Sequence, residues 1–210
     1  MVLVPFSDGS CMYCHETYNI NGIDIFGILT KGDINSLLSI GKQLKPRSKV
    51  LEIGTFLGMS AFLLLHGSDY SVDIYCVDSW DTKGMETVFD DSIYKEQELD
   101  PIEMGEKIYD KFLELKKLID VKNQLHIMKM QTKYAFSVLK NSVFDLIFID
   151  GAHEYEDVVF DIKNSLSLLK TGGILIGHDF QADTVKNAVN DCIDSRIKTL
   201  PDLLWIYEKN

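Results

Sequence analysis

The residues of this chain whose types can do chemistry fall into short clusters: Glu52-Ile53-Gly54-Thr55-Phe56-Leu57-Gly58-Met59-Ser60, Asp78-Ser79-Trp80, Gln131-Thr132, Asp150-Gly151-Ala152-His153 and Gly177-His178-Asp179. Glycines at 54 and 58 let a chain turn tightly and bring bare backbone against a ligand. The spacing is GxxxG rather than GxGxxG, so the arrangement that holds a pyrophosphate over a helix N-terminus is missing. A carboxylate at Asp78 can accept from both hydroxyls of a ribose, and Trp80 can stack on a base. Together they suit a nucleoside without a phosphate chain.

Each cluster follows an expected strand. Apolar runs predict strands at 49–53, 73–77, 124–130, 144–150 and 174–180. The fourth, FDLIFID, is almost unbroken, as in a strand buried on both faces of a parallel sheet. Between them the spacing predicts helices at about 60–66, 134–139, 155–169 and 183–194, the third ended by Thr171-Gly172-Gly173. A further helix is expected after a cap at Asp33, with Ile34, Leu38, Gly41 and Leu44 on one face. Residues 1–30 read as irregular, and IKTLPDLLWIYEK as a closing hairpin or edge strand pair. The pattern predicts an α/β fold with a doubly wound, mostly parallel sheet and an antiparallel C-terminal edge strand. In such a sheet ligands bind beyond the carboxyl ends of the strands, where the polar clusters stand.

The chain's 210 residues suffice for one buried core, and no linker or repeat divides them. One domain is expected over 1–210, with an N-terminal helical extension at 1–45. Residues 81–110 hold ten acidic residues against three lysines and account for most of the net charge of −11. They are expected to form an acidic lid or insertion that passes into a helix carrying Ile108, Phe112, Leu115 and Ile119. A pI near 4.8 opposes nucleic acid, whose affinity rests on lysine and arginine. No apolar stretch approaches the roughly 18 residues of a membrane span, and MVLVPFSDGS has no signal-peptide pattern, so the expected setting is cytoplasmic. The sequence CMYCH at 11–15 has the spacing of a c-type haem attachment, but that chemistry follows export. Cys11, Cys14 and His15 make only three ligands toward a zinc site, so chance or a surface thiol pair is expected. The HD pair at 178–179 also fits phosphohydrolases, but no further spaced histidines converge on it.

The stretch VLEIGTFLGMS resembles the first motif of class I S-adenosylmethionine-dependent methyltransferases, closely the catechol O-methyltransferase type. CVDSW resembles the second motif. FDLIFIDGAHEYEDVVFDI and LLKTGGILIGHDF resemble the later ones of small bacterial and phage-type O-methyltransferases. The resemblance covers about residues 48–208. It implies that Gly54, Phe56 and Ser60 hold the methionine moiety of S-adenosylmethionine, Asp78 its ribose, and Trp80 and Thr132 its adenine. Glu52, Thr55, Gly58, Ser79 and Asp150 complete the cofactor set. In metal-dependent relatives a carboxylate ends the fourth strand and an Asp-Asn or Asp-Asp pair ends the fifth. Here the positions hold Asp150, His178 and Asp179, so one ligand changes from oxygen to nitrogen. The resemblance implies a divalent metal, magnesium or manganese, with zinc also compatible with the nitrogen. The alternative is that His178 and Asp179 only cap the next helix and bind no ion. His153 stands where that family carries its catalytic lysine. An imidazole near its reference pKa of ~6.5 can take a hydroxyl proton at neutral pH, so His153, with Asp150, is the expected catalytic pair.

The resulting expectation is methyl transfer to a small hydroxylated acceptor, with no nucleic-acid or membrane partner, and compatible with a homo-oligomer. The alternatives are a nucleoside-binding regulatory or scaffold module without turnover, and a nicotinamide-dependent oxidoreductase, which the GxxxG turn disfavours.

Overall fold

A computed structural model describes residues 2–7, 9, 11–82, 101–193 and 196–210. Where an irregular start was expected, two antiparallel hairpins form, β1 (Val2–Pro5) with β2 (Cys11–Cys14) and β3 (Glu16–Ile20) with β4 (Ile23–Gly27). The second turns at Asn21-Gly22, both in the left-handed region at φ 53° and 90°, as the favoured two-residue hairpin turn requires. Asn19 Oδ1 accepts from Gly22 N at 2.9 Å and closes it.

Helix α1 (Lys31–Gln43) is capped by Thr30, with Asp33 three positions on completing a reciprocal capping box. Asp33 is therefore not the cap residue expected from the sequence. Helix α1 buries Ile34, Leu37 and Ile40, and it meets α2 (Met59–Gly67) where Gly41 lies against Gly67 and the Leu64 carbonyl. The remaining elements follow in alternation: β5 (Lys49–Ile53), α2, β6 (Asp73–Asp78), α3 (Pro101–Leu118), β7 (Leu125–Lys129), α4 (Thr132–Val138), β8 (Phe144–Ile149), α5 (Tyr155–Leu168), β9 (Leu169–Gly177), α6 (Asp183–Cys192), β10 (Lys198–Thr199) and β11 (Trp205–Glu208).

The seven-stranded sheet has the order β10-β11-β9-β8-β5-β6-β7. Strands β7, β6, β5, β8 and β9 run parallel, and β11 pairs antiparallel with both β9 and β10. Alternate residues feed two cores. Val50, Ile74 and Leu146 pack with α1, α2, α3 and the hairpins, whereas Leu51, Val77 and Ile147 pack with α4, α5 and α6. Strand β5 sits at the centre, with β6 on one side and β8 on the other, so the crevice where the winding reverses opens above its carboxyl end.

Strand β9 starts at Leu169, straight from the end of α5, so Thr171-Gly172-Gly173 lies within the strand instead of ending the helix. Gly172 at φ 74° lets the strand bulge there, and the pairing with β8 jumps from Phe144↔Leu169 to Leu146↔Ile174. The strand leaves the sheet at Gly177, which puts His178 and Asp179 in the turn beyond it. Residues 83–100 of the expected acidic lid lie outside the described residues. The segment's end is α3, which buries Met104, Ile108, Phe112 and Leu115. Among the described residues no helix is long and apolar enough to cross a membrane.

Candidate active site

Beyond β5 the chain turns at once. Gly54 takes φ 83°, and a side chain there would collide with the Asp150 carbonyl. Only glycine lets the turn after β5 lie against the turn after β8. Gly58, at φ 80°, caps α2, and a Cβ on it would meet the rings of Phe62 and Phe112. Thr55 N and Phe56 N donate to Asp78 Oδ2 at 2.9 and 2.8 Å, and Trp80 N donates to Oδ1 at 2.6 Å. A carboxylate offers about four acceptor positions, so in this arrangement at most one is left for a ribose hydroxyl.

Trp80 is only 5% exposed. Its Nε1 donates to Phe56 O at 2.9 Å, and its ring stacks on Phe112 beside Tyr109 of α3. The indole therefore packs the turn against α3, whose Gly105 runs hard against the Trp80 carbonyl. Below the turn, Ser60 Oγ donates to the fully buried Glu52 at 2.5 Å, while Glu52 Oε2 and Thr55 Oγ1 are buried without an aligned hydrogen bond. Ser79 Oγ accepts from Asp81 N at 3.2 Å, and Thr132 opens α4 beyond β7.

The second group stands on the ends of β8 and β9. Asp150 N donates to Ile53 O at 2.8 Å and His178 N to Ile149 O at 3.0 Å, which holds both turns to the sheet. His178 Nδ1 lies 3.0 Å from Asp179 Oδ2 and 3.5 Å from Asp150 Oδ1, and its Nε2 lies 3.2 Å from Asp33 Oδ2. Across the group His153 Nε2 comes within 2.9 Å of Asp179 Oδ2, but off the line of a hydrogen bond. Ligand atoms of Asp150, His153 and Asp179 all lie within 4.8 Å of one another.

Residues 51–180 match the family model described as "Methyltransferase domain". The chain belongs to that methyltransferase family. No curated protein sequence matches it. Its fold is shared with an O-methyltransferase from Bacillus cereus solved in complex with SAH (TM-score 0.60, 14% identity, 86% of this chain and 82% of that one). It is shared also with an SAH-bound methyltransferase from Podospora anserina (TM-score 0.57, 20% identity, 86% and 79%). A third is the SAM-bound O-methyltransferase TomG from Streptomyces achromogenes (TM-score 0.59, 12% identity, 87% and 82%). The matched span runs from the first motif in the sequence through the turn beyond β9 that carries His178 and Asp179, and the doubly wound sheet with its antiparallel edge is the fold of class I methyltransferases.

In this methyltransferase the strand-end charges are strongly coupled. Burial alone would lower the His178 imidazole, but the Asp150 carboxylate, with Asp179 and Asp33, outweighs it and raises the group to about 11. Burial pushes Asp150 up to about 6 against the opposing pull of His178. Asp179 goes the other way, since its two histidine neighbours outweigh its burial and hold it far below the usual carboxylate range. The adjacent Asp179 raises His153. Burial also lifts Glu52 to about 7 and, against its backbone donors, raises Asp78.

Two features lay beyond the sequence reading. Asp33 reaches His178 across 145 residues; its cap pattern, Thr30 three residues before an acid, was there to be read, but nothing local pointed to its partner. Asp161 on α5 is 4% exposed and lies behind the β8 turn, its Oδ2 in ordinary contact distance of where a Gly151 Cβ would be. Burial, then Asp157, pushes it up to about 7. A cleft of about 450 Å³ lies apart from all of this, between α1 and the β9–β11 edge, lined by Ser36, Ser39, Ile40, Ile174 and Ile206.

Proposed function

We propose that this chain transfers a methyl group from S-adenosylmethionine to a hydroxyl of a small molecule or sugar, within one domain spanning the described residues. The observation that carries this reading is the convergence of Asp150, His153 and Asp179 directly beside the Gly54 turn, so that cofactor and acceptor sides meet at Asp150. The Gly54–Ser60 turn, Glu52 and Asp78 hold the cofactor, with Ser79 and Thr132 toward its base. S-adenosylmethionine supplies an electrophilic methyl group on a sulfonium.

The chain's own residues do the rest by position and proton transfer. His153 Nε2, buried and without an aligned partner, takes the acceptor's hydroxyl proton when its ring is neutral. Asp179 stabilises the imidazolium that results, and Asp150 orients the hydroxyl. Two carboxylates and that imidazole also fit a divalent cation such as magnesium or manganese, the latter better suited to a nitrogen ligand. Bound there, it would occupy the His153 lone pair and would itself ease loss of the hydroxyl proton in place of the imidazole. The set we propose takes His153 in place of His178, whose nitrogens both face carboxylates and so offer no lone pair.

The test is a panel of catechols and sugars incubated with protein and radiolabelled S-adenosylmethionine, with magnesium, manganese or a chelator, beside calorimetry with S-adenosylhomocysteine and NAD. Methyl transfer to a hydroxyl, with S-adenosylhomocysteine bound and NAD ignored, is expected. Failure to bind S-adenosylhomocysteine refutes the reading, and binding without transfer to any acceptor replaces it with a nucleoside-binding module.

A further inference from the structure

Asp33 belongs to α1, yet its fully buried carboxylate reaches the strand-end group. Oδ2 accepts from Thr30 N at 2.9 Å and lies 3.2 Å from His178 Nε2, while Oδ1 accepts from Leu203 N at 3.1 Å. The anchor is doubled from the other side. Asp202 Oδ2 accepts from Gly32 N at 2.9 Å and lies 2.6 Å from Thr30 Oγ1. The N-terminus of α1 is thereby fixed to the β10–β11 connection, and Asp33 is fixed with it.

The consequence falls on His178. Its backbone is held by Ile149 O and its Nε2 faces Asp33, so the ring has one setting, in which Nδ1 points at Asp179 and Asp150. Two carboxylates this close repel, and an N–H between them keeps both turned inward. Resting on the reading of Asp150, His153 and Asp179 as the reacting edge, we propose that Asp33 is a positioning residue for methyl transfer. It accepts the Nε2 proton of His178 and so aims the opposite ring N–H at the Asp150 and Asp179 carboxylates that face the acceptor. None of its partners belongs to the Gly54–Ser60 turn, so its effect is confined to the acceptor side.

The experiment compares wild type, Asp33→Asn and Asp202→Ala, all full chain and ¹⁵N-labelled at histidine, with the His178 signals assigned by their loss in His178→Gln. Wild type should show a His178 ring N–H shielded from exchange. Asp33→Asn should lose that shielding and lower kcat by about 10–100-fold, in the range of other outer partners of a reacting group. Its KM for S-adenosylmethionine and its S-adenosylhomocysteine affinity should stay within about threefold. Asp202→Ala loosens the same helix end without touching the carboxylate, and should lower the melting temperature while keeping both the ring signal and kcat. A wild-type spectrum without a shielded His178 N–H overturns the proposal and needs no variant to fold. So does an unchanged kcat in Asp33→Asn, or an Asp202→Ala protein that matches it. If the acceptor panel yields no turnover, the ring signal still reads the clamp, so loss of the functional reading and loss of this one are told apart.

Discussion

Replacing Asp161 by asparagine should stabilise the protein in a way that depends on pH. The carboxylate lies on the buried face of α5 with no hydrogen-bond partner among the described residues, and its pKa rises from 3.8 to about 7. A proton is therefore bound more tightly in the folded chain than in the unfolded one. The folded state gains from this below pH 4 and loses it progressively as pH rises through 7. Each tenfold change in proton affinity is worth about 1.4 kcal/mol, so the full interval amounts to at most about 4 kcal/mol. Local relaxation and entry of water reduce it, and about 1–3 kcal/mol is the expected penalty at pH 8. Asparagine keeps the shape and carries no charge. Urea unfolding at pH 4.5 and pH 8 measures the difference between variant and wild type. Other titrating groups, Glu52 and Asp150 among them, are common to both proteins and cancel. The variant should be near wild type at the lower pH and more stable at the higher. An equal difference at both pH values, or a loss of stability at pH 8, would refute the argument that Asp161 is an uncompensated buried acid.

Asp78→Ala should weaken S-adenosylhomocysteine by about tenfold or more in calorimetry, since bonds to a charged acceptor are worth roughly 1.5–3 kcal/mol. It should also lower the melting temperature, because it frees the backbone of Thr55, Phe56 and Trp80. Gly54→Ala should abolish detectable cofactor binding, as the new Cβ drives the β5 turn away from Asp150 at a backbone angle only glycine favours; binding at wild-type strength would contradict that geometry. Asp179→Ala should keep S-adenosylhomocysteine affinity within about threefold and lose most methyl transfer on the acceptor found in the panel, with an unaltered rate as the opposing result.

The sheet was legible because its signals are local. FDLIFID and KVLEI announce buried strands by composition, and the glycine pair 54 and 58 marks a turn by chemistry alone. The first thirty residues read as irregular although Asn21-Gly22, between runs containing Tyr18, Ile20, Ile23 and Ile25, carries the strongest short-range hairpin signal there is, that of the second hairpin. At Thr171-Gly172-Gly173 the sequence is ambiguous for a different reason, since two glycines end a helix or bulge a strand with equal ease, and pairing with β8 decides. Trp80 reads from the sequence as a residue that can stack on a base because a sequence cannot show that α3 lies over it. The strand-end residues could be named from spacing, but which nitrogen of His178 faces which carboxylate depends on Asp33, and that contact is purely tertiary.

The tie between the N-terminus of α1 and the β10–β11 connection also sets an order of events during synthesis. Leu203 N meets Asp33 across 170 residues of chain. At about 5–20 residues per second, Asp33 emerges roughly 10–30 s before that partner exists. The hairpins, α1, β5 and α2 are made of near neighbours and can assemble in that interval, whereas the pairings that complete the β9 end wait for the last strands. A nascent chain at that stage has its glycine turn in place and a carboxylate on α1 still in water, with no histidine to meet it. The crevice for the nucleoside can therefore take shape while the protein is being translated, and the edge that would use it is finished only after Leu203 has emerged.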